Sequence, residues 1–409
     1  MKGKAMAESL RAVRVTDRVY WVGARDWEVR EFHGYRTSRG TTYNAFLVLA
    51  DKVTLVDTVK SPHRREMMAR IRSVIEPTKI DYIISNHSEM DHSGCLPETI
   101  AAVKPEKVFA SANGVKALEA HFHLGGGIEA VKNGSTLSLG NMHATFVETK
   151  MLHWPDSMVS YLAEEKILFS QDAFGQHLAS QTLWADEGPK KILLEEAAKY
   201  YANILLPFSP LITKALDALR KMNFDLAVLA PDHGPLYRKD HGWIVDLYEK
   251  WAAQKPTRKA LVVYDTMWES DALMAETIAE GLTAGGAAPV KVLPMRSAHR
   301  SDVATEILEA GALVVGSPTI NNQIFPTMAD VLCYLEGLKP KNLMGAAFGS
   351  YGWSGESVGK LEEWLRRMGV RLVAEGVKVR YVPDAEALAQ CRALGEKVGE
   401  ELQKASSDE

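Results

Sequence analysis

The 409-residue chain is too long for one ordinary core, since single cores stop growing beyond roughly 250–300 residues, and it suits two domains. Its 46% hydrophobic and 24% charged residues are those of a globular protein, and a net charge of -4 gives no electrostatic reason to expect nucleic acid. Three widely separated cysteines (Cys95, Cys333 and Cys391) argue against a disulfide framework, and with no pair of C-x-x-C motifs neither a rubredoxin module nor a cysteine-ligated cluster is expected within the chain.

The N-terminal MKGKAMAESLRAVRV lacks the apolar centre of a secretory signal, and no stretch approaches the ~20 apolar residues that span a bilayer, so the cytoplasm is the expected compartment. Residues 44–58 (NAFLVLADKVTLVDT) alternate short apolar runs around an Asp-Lys turn, the pattern of a hairpin, and Ile80–Ser85 reads as a buried strand. Met158–Leu162 and Lys166–Phe169 form a second hairpin, and Leu226–Ala230 is a short strand stopped by Pro231. The polar, proline-containing WAAQKPTRK (251–259) is a break between domains, placed between residues 254 and 255. Beyond it ALVVY, VKVLPM, ALVVGSP, NLMGAAFGSYG and VKVRYVP alternate with helical stretches, which indicates a doubly wound parallel sheet. The closing KASSDE reads as a frayed tail.

Just after the strand at 80–85, six residues hold two imidazoles and two carboxylates: His87, Glu89, Asp91 and His92. His153 in LHWPDS, Asp172 in FSQDAFG and His233 in LAPDHGP also sit where strands end, where side chains can converge without belonging to a sheet face. A lone His or Asp there is usually structural; seven in order are a different matter. Their spacing resembles the H-x-H-x-D-H ladder of the metallo-β-lactamase fold, with Glu89 in place of the second His. Four imidazoles and three carboxylates favour iron or manganese over zinc.

That H-x-E-x-D-H variant resembles the flavodiiron proteins. The resemblance implies an N-terminal αββα sandwich over residues 1–254 with one iron on His87, Glu89 and His153, a second on Asp91, His92 and His233, and Asp172 between them. The segments FHGY, GTTYN and KYYAN also match the family, and Tyr35, Tyr200 and Tyr201 are candidates for donating a hydrogen bond or proton near the irons. Cys95 is expected to be a buried, inert thiol.

In residues 255–409 the loops after the first, third and fourth strands are where a doubly wound sheet binds its ligand. They carry Thr266, Met267, Trp268, Glu269 and Ser270; Ser317, Pro318, Thr319 and Asn321; and Gly349, Ser350, Tyr351, Gly352, Trp353, Ser354 and Gly355. Hydroxyls, backbone donors and aromatic flanks suit a flavin mononucleotide, and together the loops resemble flavodoxin. Asp271 and Glu269 depart from that pattern: anions beside a phosphate weaken its binding unless they point away. No G-x-G-x-x-G follows a strand, so direct NAD(P)H binding has no support.

The family resemblance implies reduction of dioxygen to water, of nitric oxide to nitrous oxide, or both, with electrons passing through FMN from a separate donor such as rubredoxin. It also implies a head-to-tail homodimer, alone or as a dimer of dimers, that brings one subunit's flavin beside the other's irons. The alternative is a metal-dependent hydrolase of the metallo-β-lactamase class fused to a flavodoxin.

Overall fold

A computed structural model describes residues 10–407, so the first nine residues, on which the reading of the N-terminus partly rests, lie outside it. The chain divides into two compact units: residues up to His33, Thr37–Tyr200 and Pro210–Glu249 in one, and Gly34–Arg36, Tyr201–Ser209 and Lys250 onward in the other.

The first unit holds two sheets. One has seven strands in the order Val13–Arg14, Val19–Trp21, Phe46–Val48, Thr54–Val56, Tyr82–Ser85, Lys107–Ser111, Ile128–Val131; the other has five, Thr136–Ser138, His143–Glu148, Met158–Leu162, Ile167–Gln171, Val228–Pro231. Both expected hairpins form, pairing Phe46 with Val56 and Ser160 with Phe169. Trp21, Phe46 and Ile84 of one sheet pack with Phe146, Leu162 and Phe169 of the other in one buried cluster. The opposite face of the seven-stranded sheet buries Leu47, Leu55 and Ile83 under Met67, Met68, Ile71, Leu96 and Leu118 of its helices. The alternation of side chains along each strand thus serves two different cores.

The second unit is a parallel sheet in the order Val290–Pro294, Ala260–Tyr264, Ala312–Gly316, Met344–Tyr351, with Arg371–Leu372 and Val377–Arg380 both pairing with the last of these. Numbered along the chain, this is the 2-1-3-4-5 order of a flavodoxin-like fold. The one difference from the sequence reading is that the fifth strand comes in two pieces. Its central strands are apolar throughout because both faces are covered.

Most of the KASSDE tail is not frayed: the helix Ala385–Ser407 continues through it, and residues 408–409 lie outside the described residues. Cys391, Leu394, Val398 and Leu402 form a buried stripe at helical spacing that carries the helix to its end. It packs on the helix Ser270–Ala284 at glycine contact: a Cβ on Gly395 would sit 2.2 Å from the Ile278 carbonyl oxygen and 2.8 Å from the Leu282 nitrogen. Backbone is on the receiving side, so nothing can swing away. Gly395→Ala is therefore expected to destabilise this unit by about 1–3 kcal/mol, read as a lowered unfolding midpoint.

Candidate metal centre and flavin cavity

The seven predicted residues leave strands of both sheets at the same rim. Where Tyr82–Ser85 ends, Asp57 binds the backbone amide and the side-chain amide of Asn86 at 2.7 and 2.8 Å, fixing the exit of the chain. Glu89 then precedes a single helical turn, Met90–Ser93, which presents Asp91 and His92. Thr58 donates to the His92 carbonyl at 2.6 Å and Ser93 to the Ser88 carbonyl at 2.6 Å, so this turn is pinned from both sides. His153 lies in the loop between His143–Glu148 and Met158–Leu162, Asp172 follows Ile167–Gln171 directly, and His233 follows Val228–Pro231.

These side chains gather into two groups, His87, Glu89, His153 and Asp172, and Asp91, His92 and His233, each with candidate ligand atoms within 4.8 Å of one another. Asp172 joins them. Its Oδ2 lies 3.3 Å from His87 Nε2 and 3.1 Å from His153 Nε2, while its Oδ1 lies 3.2 Å from His92 Nε2 and 3.4 Å from His233 Nε2. One carboxylate thus faces all four imidazoles, two with each oxygen.

The donor set fits a pair of cations. Both oxygens of Asp91, both ring nitrogens of His92 and Oδ1 of Asp172 are buried with no aligned hydrogen-bond partner, although nitrogens and oxygens approach closely. Buried polar atoms are normally paired; these turn lone pairs toward shared space instead. Burial acts to discharge the imidazoles, but the carboxylates of Asp91 and Asp172 prevail and raise His92 to about 10, and Asp172 and Glu89 raise His153 to about 9. Asp172, against the cost of its own burial, is held well below the usual carboxylate range by His92 and His153. Cations bound here would take the place of protons on these imidazoles.

Several partners of this cluster were missed by sequence reasoning. The half-exposed His33 bonds one oxygen of Glu89, leaving the other 3.2 Å from both His87 and His153. Asp156 lies 3.3 Å from His87 Nδ1 and accepts from the Ser88 amide at 2.6 Å. Asp232 lies 3.6 Å from His92 Nδ1, and His233 Nδ1 meets the Thr42 carbonyl at 2.7 Å. Such outer groups select the tautomer that turns Nε2 inward. Asp156 and Asp232 stood in the quoted motifs LHWPDS and LAPDHGP, and His33 stood in FHGY, where Tyr35 was the candidate and nothing pointed to a contact 56 positions away.

Of the three candidate tyrosines, Tyr200 is buried with its ring centroid 5.1 Å from that of His177 and 6.0 Å from that of His233. Tyr35 and Tyr201 fall in the second unit, where the Tyr201 hydroxyl meets Ser209 Oγ at 3.1 Å. Cys95 is buried, and burial pushes its thiol up, as an inert residue requires.

In the second unit a cavity of about 460 Å³ opens at the carboxyl edge of the sheet, lined by Met267, Trp268, Ser270, Pro318, Thr319, Ser350, Tyr351, Gly352 and Trp353, and also by Tyr381 and Val382 after the fifth strand. Trp268 and Trp353 are 88% and 86% exposed, wide apolar faces of the kind that mark a binding site. Polar Ser270, Thr319 and Ser350 beside aromatic walls suit a phosphate and an isoalloxazine ring. Thr266, Glu269, Ser317, Asn321, Gly349, Ser354 and Gly355 are not among the lining residues; Ser317 Oγ instead accepts from the Phe325 amide at 2.8 Å and shapes its loop. Glu269 turns outward to Arg296 at 2.9 Å, whereas Asp271 turns inward to Ser350.

Residues 41–234 match the family model for ODP family beta lactamase and residues 262–395 that for flavodoxin. The chain is 46% identical to the nitric oxide reductase of Moorella thermoacetica, over 94% of this chain and 98% of that one. It superposes on the solved rubredoxin oxygen:oxidoreductase of Desulfovibrio gigas with a TM-score of 0.95 at 44% identity, covering 97% of this chain and 99% of that one. The chain belongs to the flavodiiron protein family. The flavodiiron protein of Giardia intestinalis is a further structural relative, with a TM-score of 0.94 and 31% identity over 98% of both chains. This flavodiiron protein is accordingly an oxidoreductase whose two units suit two irons and FMN, and the hydrolase alternative is not favoured. Among the described residues no helix is long and apolar enough to cross a membrane.

Proposed function

We propose that this flavodiiron protein reduces dioxygen to water, nitric oxide to nitrous oxide, or both, in the cytoplasm, drawing electrons through FMN from an external protein such as rubredoxin. The observation that carries the reading is the division of Asp172 between two imidazole pairs, a geometry that calls for two cations side by side. His87, Glu89 and His153 would hold one iron and Asp91, His92 and His233 the other, with Asp172 between. The residues 1–254 would form the iron domain and 255–409 the flavin domain, the latter holding FMN in the cavity between Trp268 and Trp353. A pair of irons supplies reversible one-electron chemistry and open positions for a diatomic gas.

The protein's own side chains set the conditions for that chemistry. Asp156, Asp232 and the Thr42 carbonyl orient the imidazoles, and His33 orients Glu89 from the solvent side. Phe32, with its ring 4.7 Å from that of His177, and Tyr200 wall the His233 side and keep water from it. The head-to-tail homodimer fits the same reading, since it would bring a partner's flavin to each iron pair.

The test is steady-state consumption of dioxygen and of nitric oxide by protein verified for iron and FMN, started anaerobically with the same excess of reduced rubredoxin. Rapid loss of either gas is the expected outcome, and the faster one names the physiological substrate. Full cofactor loading with neither gas consumed would refute the assignment.

A further inference from the structure

The helix Ser270–Ala284 begins with a carboxylate that the proposed function leaves unused. Asp271 is 1% exposed, and its two oxygens accept hydrogen bonds from the Ser350 amide and the Ser350 hydroxyl, each at 2.8 Å. Ser350 and Ser270 both line the flavin cavity. Asp271 therefore bridges two cavity-forming loops from behind. Burial pushes its carboxyl up to about 6, with the Ser350 hydrogen bonds working the other way, so at pH 8 it carries its charge. No cation pairs with it among the described residues, and Arg296 is taken by Glu269 at 2.9 Å.

We propose that Asp271 sets the affinity of the cavity for the phosphate of its flavin, by placing a fixed negative charge in the first turn of the helix and by holding both Ser350 donors. This rests on the reading of the cavity as the FMN site. A helix N-terminus attracts anions through its unpaired amides and its dipole. Here a resident carboxylate already uses that attraction and repels a phosphate carrying about two charges. Two donors that could face an anion in the cavity are turned to Asp271 instead. The arrangement weakens the hold on FMN and makes the flavin exchangeable, while leaving contacts with its ring untouched.

The phosphate distinguishes this account from a merely structural role. Full-length protein stripped of flavin is titrated at pH 8 with FMN and, separately, with riboflavin, which has the same ring and no phosphate, following fluorescence quenching. Asp271→Asn keeps an acceptor for Ser350 and removes the charge; it is expected to tighten FMN by about tenfold, one ordinary charge–charge interaction, and to leave riboflavin unchanged. Asp271→Thr guards against a folding defect particular to the first variant and is expected to behave alike. If both variants fold and hold FMN no more tightly than the wild type, or gain equally for riboflavin, the inference is overturned. If the wild type and both variants take up neither flavin, the reading of the cavity falls and the inference with it.

Discussion

Asp172→Ala is expected to leave the protein with less than about a tenth of its iron and no measurable gas reduction, while FMN stays at one per chain. Among the described residues Asp172 alone has oxygens that reach both groups of donors, at 3.1–3.4 Å from the four imidazoles. Without it each group loses an anionic ligand and the two lose their link, so both irons go together. Removing one partner from a buried ion network costs about 3–5 kcal/mol, so the iron-free variant should also unfold earlier. Iron by mass spectrometry and flavin by absorbance separate these effects. Full iron retained at normal turnover would show that Asp172 does not bridge.

Asp156→Asn is expected to act on one iron alone. Its carboxylate steadies His87 through Nδ1 and is itself fixed by the Ser88 amide, while the other group relies on Asp232 and the Thr42 carbonyl. Loss of such an outer carboxylate lowers metal affinity by about 10–100-fold. Under graded chelator the variant should release one iron per chain well before the second, where the wild type releases both at higher chelator. Loss of both in a single step would mean that the two positions are not independently supported.

Much of this architecture is written locally. The apolar runs from ALVVY to VKVRYVP reveal a parallel sheet because both faces are covered, and the segment 87–92 is conspicuous because no core needs four titratable groups in six residues. Seven ligand candidates could be picked out because they lie in the segments that follow four strands, where the chain leaves the sheet. What escaped is set by contacts distant in sequence. His33, within the flagged FHGY, reaches Glu89 across 56 positions, and Tyr381 and Val382 join the flavin cavity because the fifth strand ends at the same edge as the others. Charge alone could flag Asp271 and Glu269 as unusual; only the fold separates them, one turned to Ser350 and the other to Arg296. The tyrosines show the reverse limit: neighbours in KYYAN, Tyr200 and Tyr201 fall in different units.

Each group of metal donors takes members from both sheets, His87 and Glu89 with His153 and Asp172 in one, Asp91 and His92 with His233 in the other. Neither can form on a nascent hairpin or on one sheet by itself. Capture of a metal by a full donor group would therefore follow the docking of the sheets, in which distant segments find one another. An interaction made that late cannot hasten folding; its influence falls on the reverse reaction. Once in place, one ion would tie chain segments from residue 87 to residue 172 and the other from residue 91 to residue 233, and pulling the sheets apart would first require breaking those ties. Bound metals would thus act as a lock on an already folded domain, lengthening its lifetime more than hastening its formation.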